Sequence, residues 1–169
     1  MKETGIPELS TTEIHEYIQK AASSKRRRYP RILHNPGDEF NRVINFMMED
    51  SYMQPHLHPG KEKIEKMYLV QGKFAVLFFS EKGEMDQSVV LEKGKTEYIE
   101  IPAFTWHTYV MLSETVVSYE TMMGKYDPET WKTLAEWAPT EDTNKSITYL
   151  NELKQKVKDV QKMLKETRR

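Results

Sequence analysis

Gln54-Pro55-His56-Leu57-His58, followed by Lys63-Ile64-Glu65 and Gln71-Gly72, is the stretch on which the reading of this chain turns. Side chains two residues apart on a β-strand project from the same face, so the imidazoles of His56 and His58 converge on one point. A carboxylate at Glu65 and a further imidazole at His107, from neighbouring strands, complete a set of nitrogen and oxygen donors of the kind that holds a divalent metal. Only five histidines occur in 169 residues, and three fall in this arrangement. The expectation is a three-histidine, one-glutamate site (His56, His58, Glu65, His107) inside a small β-barrel.

Outward from that stretch, residues 40 to 123 break into short runs rich in β-branched and aromatic side chains. They are Arg42–Met47, Lys66–Val70, Lys73–Phe79, Ser88–Leu91, Glu97–Ile101, His107–Met111 and Thr115–Glu120. Turn signals separate them at Gln71-Gly72, Glu81–Glu84, Glu92–Lys95 and Leu112–Glu114. Many short strands at such spacing predict an antiparallel barrel or sandwich, not a parallel sheet.

Helical patterns flank the barrel region. Ser10-Thr11-Thr12-Glu13 has the spacing of a capping box, and Ile14, Tyr17, Ile18 and Ala21 form one apolar face, predicting a helix that ends near Ser23-Ser24. Asp127-Pro128 reads as an N-cap with proline at the first helical position, predicting a short helix through Trp131 and Leu134. Leu150, Leu153, Val157, Val160 and Leu164 follow three-four spacing on a last helix, either a short coiled coil or a helix packed on the barrel. The expected organisation is a helical lead-in (1–35), a barrel (36–124) and C-terminal helices (125–169).

Composition narrows the function classes. A net charge of −1 gives no global field for nucleic acid or a membrane surface, and the absence of cysteine removes disulfides, thiolate ligands and thiol nucleophiles. No stretch approaches the roughly 18 apolar residues of a membrane span, and Met1–Pro7 lacks a signal region. A cytoplasmic protein acting on a small molecule is the expectation. The ten methionines read as core filling.

These motifs resemble the cupin superfamily. Its first motif joins a His-x-His pair to a glutamate and then a glycine, here His56, His58, Glu65 and Gly72. Its second, Pro-x-Gly-x-x-His, stands here as Pro102-Ala103-Phe104-Thr105-Trp106-His107, with Phe104 in the glycine position. More narrowly, Ser24–Arg28, Tyr52–His58, Lys63–Glu65, Gly124–Pro128 and Trp137–Pro139 are similar to the WbuC-type cupin-fold metalloproteins, often associated with O-antigen gene clusters. The resemblance implies a mainly β fold, a single cupin (double-stranded β-helix or jelly-roll barrel) with N- and C-terminal helices. It also implies one divalent transition metal (Fe, Mn, Ni or Zn).

Other candidates lie around the expected ligands. Arg26 and Arg28 match the family's spacing, and guanidinium forks suit carboxylate or phosphate; Arg42, Tyr52 and Tyr126 join them as candidate substrate-binding residues. Lys63 and Glu120 are candidate acid/base groups, and His34 reads as a core histidine. The function expected is a metal-assisted isomerisation, or a related sugar transformation, of a small anionic or carbohydrate-derived molecule. The alternatives are an iron-dependent dioxygenase or a non-catalytic binding module. A homodimer is expected.

Overall fold

The short apolar runs between residues 40 and 123 form strands where the sequence marks them, in a computed structural model that describes residues 5–167. Residues 1–4 and 168–169, the outer ends of the expected lead-in and tail, lie outside the described residues. In chain order the elements are α1 (Thr11–Ser23), β1 (Arg28–Ile32), β2 (Phe40–Met48), β3 (His56–Leu57), β4 (Glu65–Gln71) and β5 (Lys73–Phe79). Then come β6 (Met85–Glu92), β7 (Tyr98–Ile101), β8 (His107–Met111), β9 (Thr115–Met123), β10 (Thr133–Leu134) and α2 (Asn144–Thr167).

The strands make two antiparallel five-stranded sheets, ordered β1-β2-β9-β4-β7 and β10-β3-β8-β5-β6. From β2 onward the chain crosses repeatedly between the sheets, which interleave as a jelly roll. On β2, Met47 packs inward with Met67, Leu69, Phe74 and Val116, whereas Ile44, Phe46 and Met48 face outward against α1. The capping box at Ser10 and Glu13 is formed. Tyr17 of α1 stacks on Phe46 with ring centroids 4.9 Å apart. The connection from β4 to β5 requires Gly72: its φ is +85°, and an added Cβ would collide with the Thr115 carbonyl and the Ser113 hydroxyl.

Three features differ from the expected pattern or decide between alternatives. The lead-in is not wholly helical, because residues 28–32 add β1 to the edge of the first sheet, with Pro30 opposite Asn45. Proline is tolerated there because an edge strand has one side without a ladder partner. The helix expected from Asp127 to Leu134 is absent. Asp127 caps a single turn, its Oδ1 accepting from Glu129 N at 2.9 Å, and Thr133-Leu134 then pair with Leu57 and His56. The carbonyls that would have continued the helix are taken elsewhere: Thr130 O by Lys63 Nζ (3.0 Å) and Trp131 O by His58 Nδ1 (2.8 Å).

The C-terminal helix, α2, packs on the barrel. Leu150, Leu153 and Val157 are buried with Ala75, Leu77 and Val110 on the outer face of the second sheet. Val160 is half-buried and Leu164 exposed, so the apolar seam outruns the sheet. No helix among the described residues is long and apolar enough to cross a membrane.

Candidate metal centre

His56 and His107 are direct partners across β3 and β8, and Glu65 opens β4 on the facing sheet. His58 follows β3 by one residue, on the same side as His56. The four side chains are almost wholly shielded from solvent, none more than 5% exposed. Their ligand atoms all lie within 4.8 Å of one another. Glu65 Oε2 stands 3.2 Å from His58 Nε2 and 3.1 Å from His107 Nε2. Two donors on one ion, each at about 2.0–2.2 Å, stand roughly 3.0–3.5 Å apart. The spacing of Glu65 from His58 and His107 is that of ligands sharing one ion.

The proton positions point the same way. His56 Nδ1 faces Gln54 O at 3.1 Å, His58 Nδ1 faces Trp131 O at 2.8 Å, and His107 Nδ1 faces Thr105 O at 2.8 Å. A carbonyl only accepts, so each Nδ1 carries the hydrogen and each neutral ring has its lone pair on Nε2. Two of those Nε2 atoms lie beside a carboxylate oxygen. Lone pairs facing a carboxylate at that distance repel unless a cation, proton or metal, lies among them. Fixing the far nitrogen of each ring is also how a protein orients imidazoles towards a metal.

Charge is distributed accordingly. Burial drives His56 well below the usual imidazole range, reinforced by His107 and Lys132, so it is neutral. Burial lowers His58 as well, but the hydrogen bond and charge of Glu65 outweigh it and leave His58 raised. For Glu65, burial opposes ionisation, yet His107 and His58 together hold its carboxyl well below the usual range. The hydroxyl of Tyr109, kept protonated by burial and by the charge of Glu65, donates to Glu65 Oε1. Nearby on β9, burial and then the charge of Glu65 push Glu120 up to about 8; its Oε2 accepts from Asn45 Nδ2 at 2.8 Å.

Comparison with known proteins extends the picture. A domain of unknown function, DUF6016, matches residues 9–91. No curated protein matches the chain in sequence. Among solved structures, protein SO0799 from Shewanella oneidensis superposes with a TM-score of 0.56 at 10% identity, over 70% of this chain and 82% of that one. CapF superposes with a TM-score of 0.56 at 20% identity, over 67% of this chain, which spans only 32% of the CapF chain. The cupin domain of Schizosaccharomyces pombe Cnp3 gives a TM-score of 0.46 at 16% identity, over 58% of this chain and 61% of that one. At these identities the likeness to SO0799 and CapF is one of fold. What decides the architecture is the interleaving of two antiparallel sheets around an interior that gathers His-x-His, glutamate and histidine from three strands. The fold is a cupin.

The cupin barrel separates the other expected site residues. Lys63 is buried beside the ligand cluster, its ammonium 4.9 Å from the Trp131 ring centroid. Tyr126 is exposed and packs edge-on against Trp131 with ring centroids 5.2 Å apart. Arg26 and Arg28 both grip Glu141, at 3.0 and 2.7 Å, and Arg28 also donates to Tyr52 O at 2.9 Å. Tyr52 donates its hydroxyl to Pro139 O at 2.7 Å and packs under α2. Arg42 lies on the outward face of β2 and donates to Leu33 O at 3.2 Å, on the opposite face from Asn41 and Asn45. The glycine position of the second cupin motif keeps a glycine-like backbone: Phe104 has φ +59°, and its N–H donates to His58 O at 3.0 Å.

Four further residues around the site were not among those expected. Tyr109 was legible, since it follows His107 by two on β8 and shares its face. Asn45 was legible too, as an inward polar residue in an apolar strand. Trp131 and Lys132 were hidden by the helical reading of their segment. Lys132 is half-buried, without an ion-pair partner among the described residues, and burial followed by the charges of Arg26 and Arg28 lowers its pKa.

Proposed function

We propose that this cupin holds one divalent transition metal on His56, His58, Glu65 and His107 and acts on a small molecule bound beside it. The observation that carries the reading is the proton arrangement. Three rings spend Nδ1–H on backbone carbonyls and turn Nε2 into one cluster with a carboxylate, where a proton or a metal is held between them. Imidazole and carboxylate together suit iron, manganese, nickel or zinc. Such an ion, when bound, acts as a Lewis acid towards a substrate oxygen.

The chain's own contribution is a proton-transfer group. Glu120 sits next to the cluster, is held near neutrality by burial and by Glu65, and has one oxygen engaged by Asn45. An acid/base poised near the working pH favours proton-transfer chemistry such as isomerisation over an oxygenase reaction. Lys63 orients Thr130 and Trp131 through its bond to Thr130 O, and so supports the carbonyl that holds His58. The similarity to WbuC-type cupins supports a carbohydrate-related substrate, and we include in the proposal a cytoplasmic homodimer.

Elemental analysis of untagged, chelator-free protein tests the reading. One equivalent of metal per chain is expected, and its loss in the His56→Ala/His58→Ala double variant. Protein that takes up no metal after anaerobic reconstitution with iron, manganese, nickel and zinc would overturn it. Iron accompanied by oxygen consumption would redirect the chemistry to dioxygenation.

A further inference from the structure

A cavity of about 180 Å³ opens beside the ligand cluster, between β1, β2, β9 and residues 126–131. Pro30, Ile32 and Val43 form apolar walls facing Tyr126 and Trp131. Asn41, Glu120 and His34 interrupt them. The cavity reaches the metal centre through Trp131, whose carbonyl holds His58, and through Glu120, which pairs on β9 with Met67 of β4, two residues from Glu65.

Asn41 is the informative residue. It is 4% exposed, and its amide nitrogen donates to Met122 O at 3.2 Å and Gly124 O at 2.5 Å. Both partners are carbonyls, which only accept, so the orientation of the amide is fixed. That leaves Oδ1 buried with no hydrogen-bond partner among the described residues. An unmade bond of this kind costs about 1–3 kcal/mol, and a ligand bringing an O–H or N–H would recover it. Two more polar atoms are free for the same occupant. Glu120 engages Asn45 through Oε2, which leaves Oε1. His34 Nδ1 is held by both Arg42 N (3.0 Å) and Arg42 O (3.1 Å), which leaves Nε2.

Charge narrows the occupant. An anion would meet the oxygens of Asn41 and Glu120, while Arg26 and Arg28 are committed to Glu141 and Arg42 lies on the far face of β2. A cation would have to compete with the ammonium of Lys63, which already stands 4.9 Å from the ring centroid of Trp131, one wall of the cavity. We infer that this cavity is the substrate pocket and that it takes a small uncharged molecule joining an apolar ring or chain to a hydroxyl or amide N–H donor. Only the word substrate rests on the metal-centre reading; the binding preference stands on the cavity alone.

Three probes sharing one ring separate the possibilities: cyclohexanol, cyclohexanecarboxylate and cyclohexylammonium, titrated by NMR into full-length protein with and without zinc. Cyclohexanol is expected to shift the side-chain signals of Asn41 and Trp131, with the two ions binding about tenfold or more weaker. Val43→Phe, which fills the cavity, and Ile32→Trp, at an exposed position on its rim, are each expected to abolish the shifts while leaving the zinc equivalent intact. The Ile32 position is 62% exposed, so that variant keeps the test independent of core packing. Zinc-loaded protein that ignores cyclohexanol, binds the carboxylate as well, or responds equally in both variants would overturn the pocket and leave the metal centre standing. Protein that binds cyclohexanol but no zinc would support the pocket and overturn the metal centre.

Discussion

Glu120→Gln should uncouple stability from pH across a defined window. The Glu120 carboxyl titrates at about 8 in the folded chain, against about 4.3 for an unfolded glutamate. Between those values the native state keeps a proton that the unfolded state has released. Unfolding therefore becomes easier as pH rises, by up to about 1.4 kcal/mol per pH unit for one group. Below the lower value both states are protonated, and above about 8 both are ionised, so the contribution is flat outside the window. Glutamine fills the same space, carries no charge and still offers Asn45 an acceptor. Urea unfolding of metal-free variant and parent at pH 5, 6 and 7 should show the advantage of the variant growing by roughly 3 kcal/mol across the series. A constant difference over this range would refute the placement of Glu120 as an acid whose ionisation burial and the charge of Glu65 oppose.

Further expectations follow from the contacts around the site and under α2. Tyr109→Phe removes the hydroxyl that donates to Glu65 Oε1; zinc affinity measured by competition with a chelator dye should fall about 10–100-fold. Zinc should raise the unfolding midpoint, by about 2.7 kcal/mol of stability at one hundred times its dissociation constant. That gain should shrink as pH falls through neutrality, because His58, raised by Glu65, takes up a proton that competes with the metal. Leu153→Ala, at a side chain 1% exposed between α2 and the second sheet, should cost about 2–5 kcal/mol in urea unfolding; an unchanged midpoint would mean that α2 is not docked. Gly72→Ala should be destabilised by a few kcal/mol, since its backbone conformation and the nearby Thr115 carbonyl both exclude a Cβ.

The barrel was readable because short runs of β-branched and aromatic residues recur between turn signals, and the ligand cluster because strand parity brings His56 and His58 together. What escaped was structure decided by distant atoms. β1 escaped because Arg28-Tyr29-Pro30-Arg31-Ile32 carries charges and a proline, which only an edge position accommodates. The 127–134 segment carries sound helix-start signals, yet His58 and Lys63 claim the carbonyls that a helix would need. That competition is invisible to any window of local sequence. It is also why the sequence hides Trp131 and Lys132 but not Tyr109, two residues beyond His107. The arginines at 26 and 28 show the converse: their spacing was suggestive, but Glu141, more than a hundred residues away, takes both.

The carbonyl of Trp131 gives the order of synthesis a consequence for assembly. All four candidate ligands have been made by residue 107, but the group that seats the hydrogen on His58 Nδ1 arrives 24 residues later. A nascent chain halted between those points holds every donor and still lacks the acceptor that turns His58 Nε2 towards Glu65. On this arrangement the full set of four oriented donors is complete only once residue 131 has taken its place beside His58.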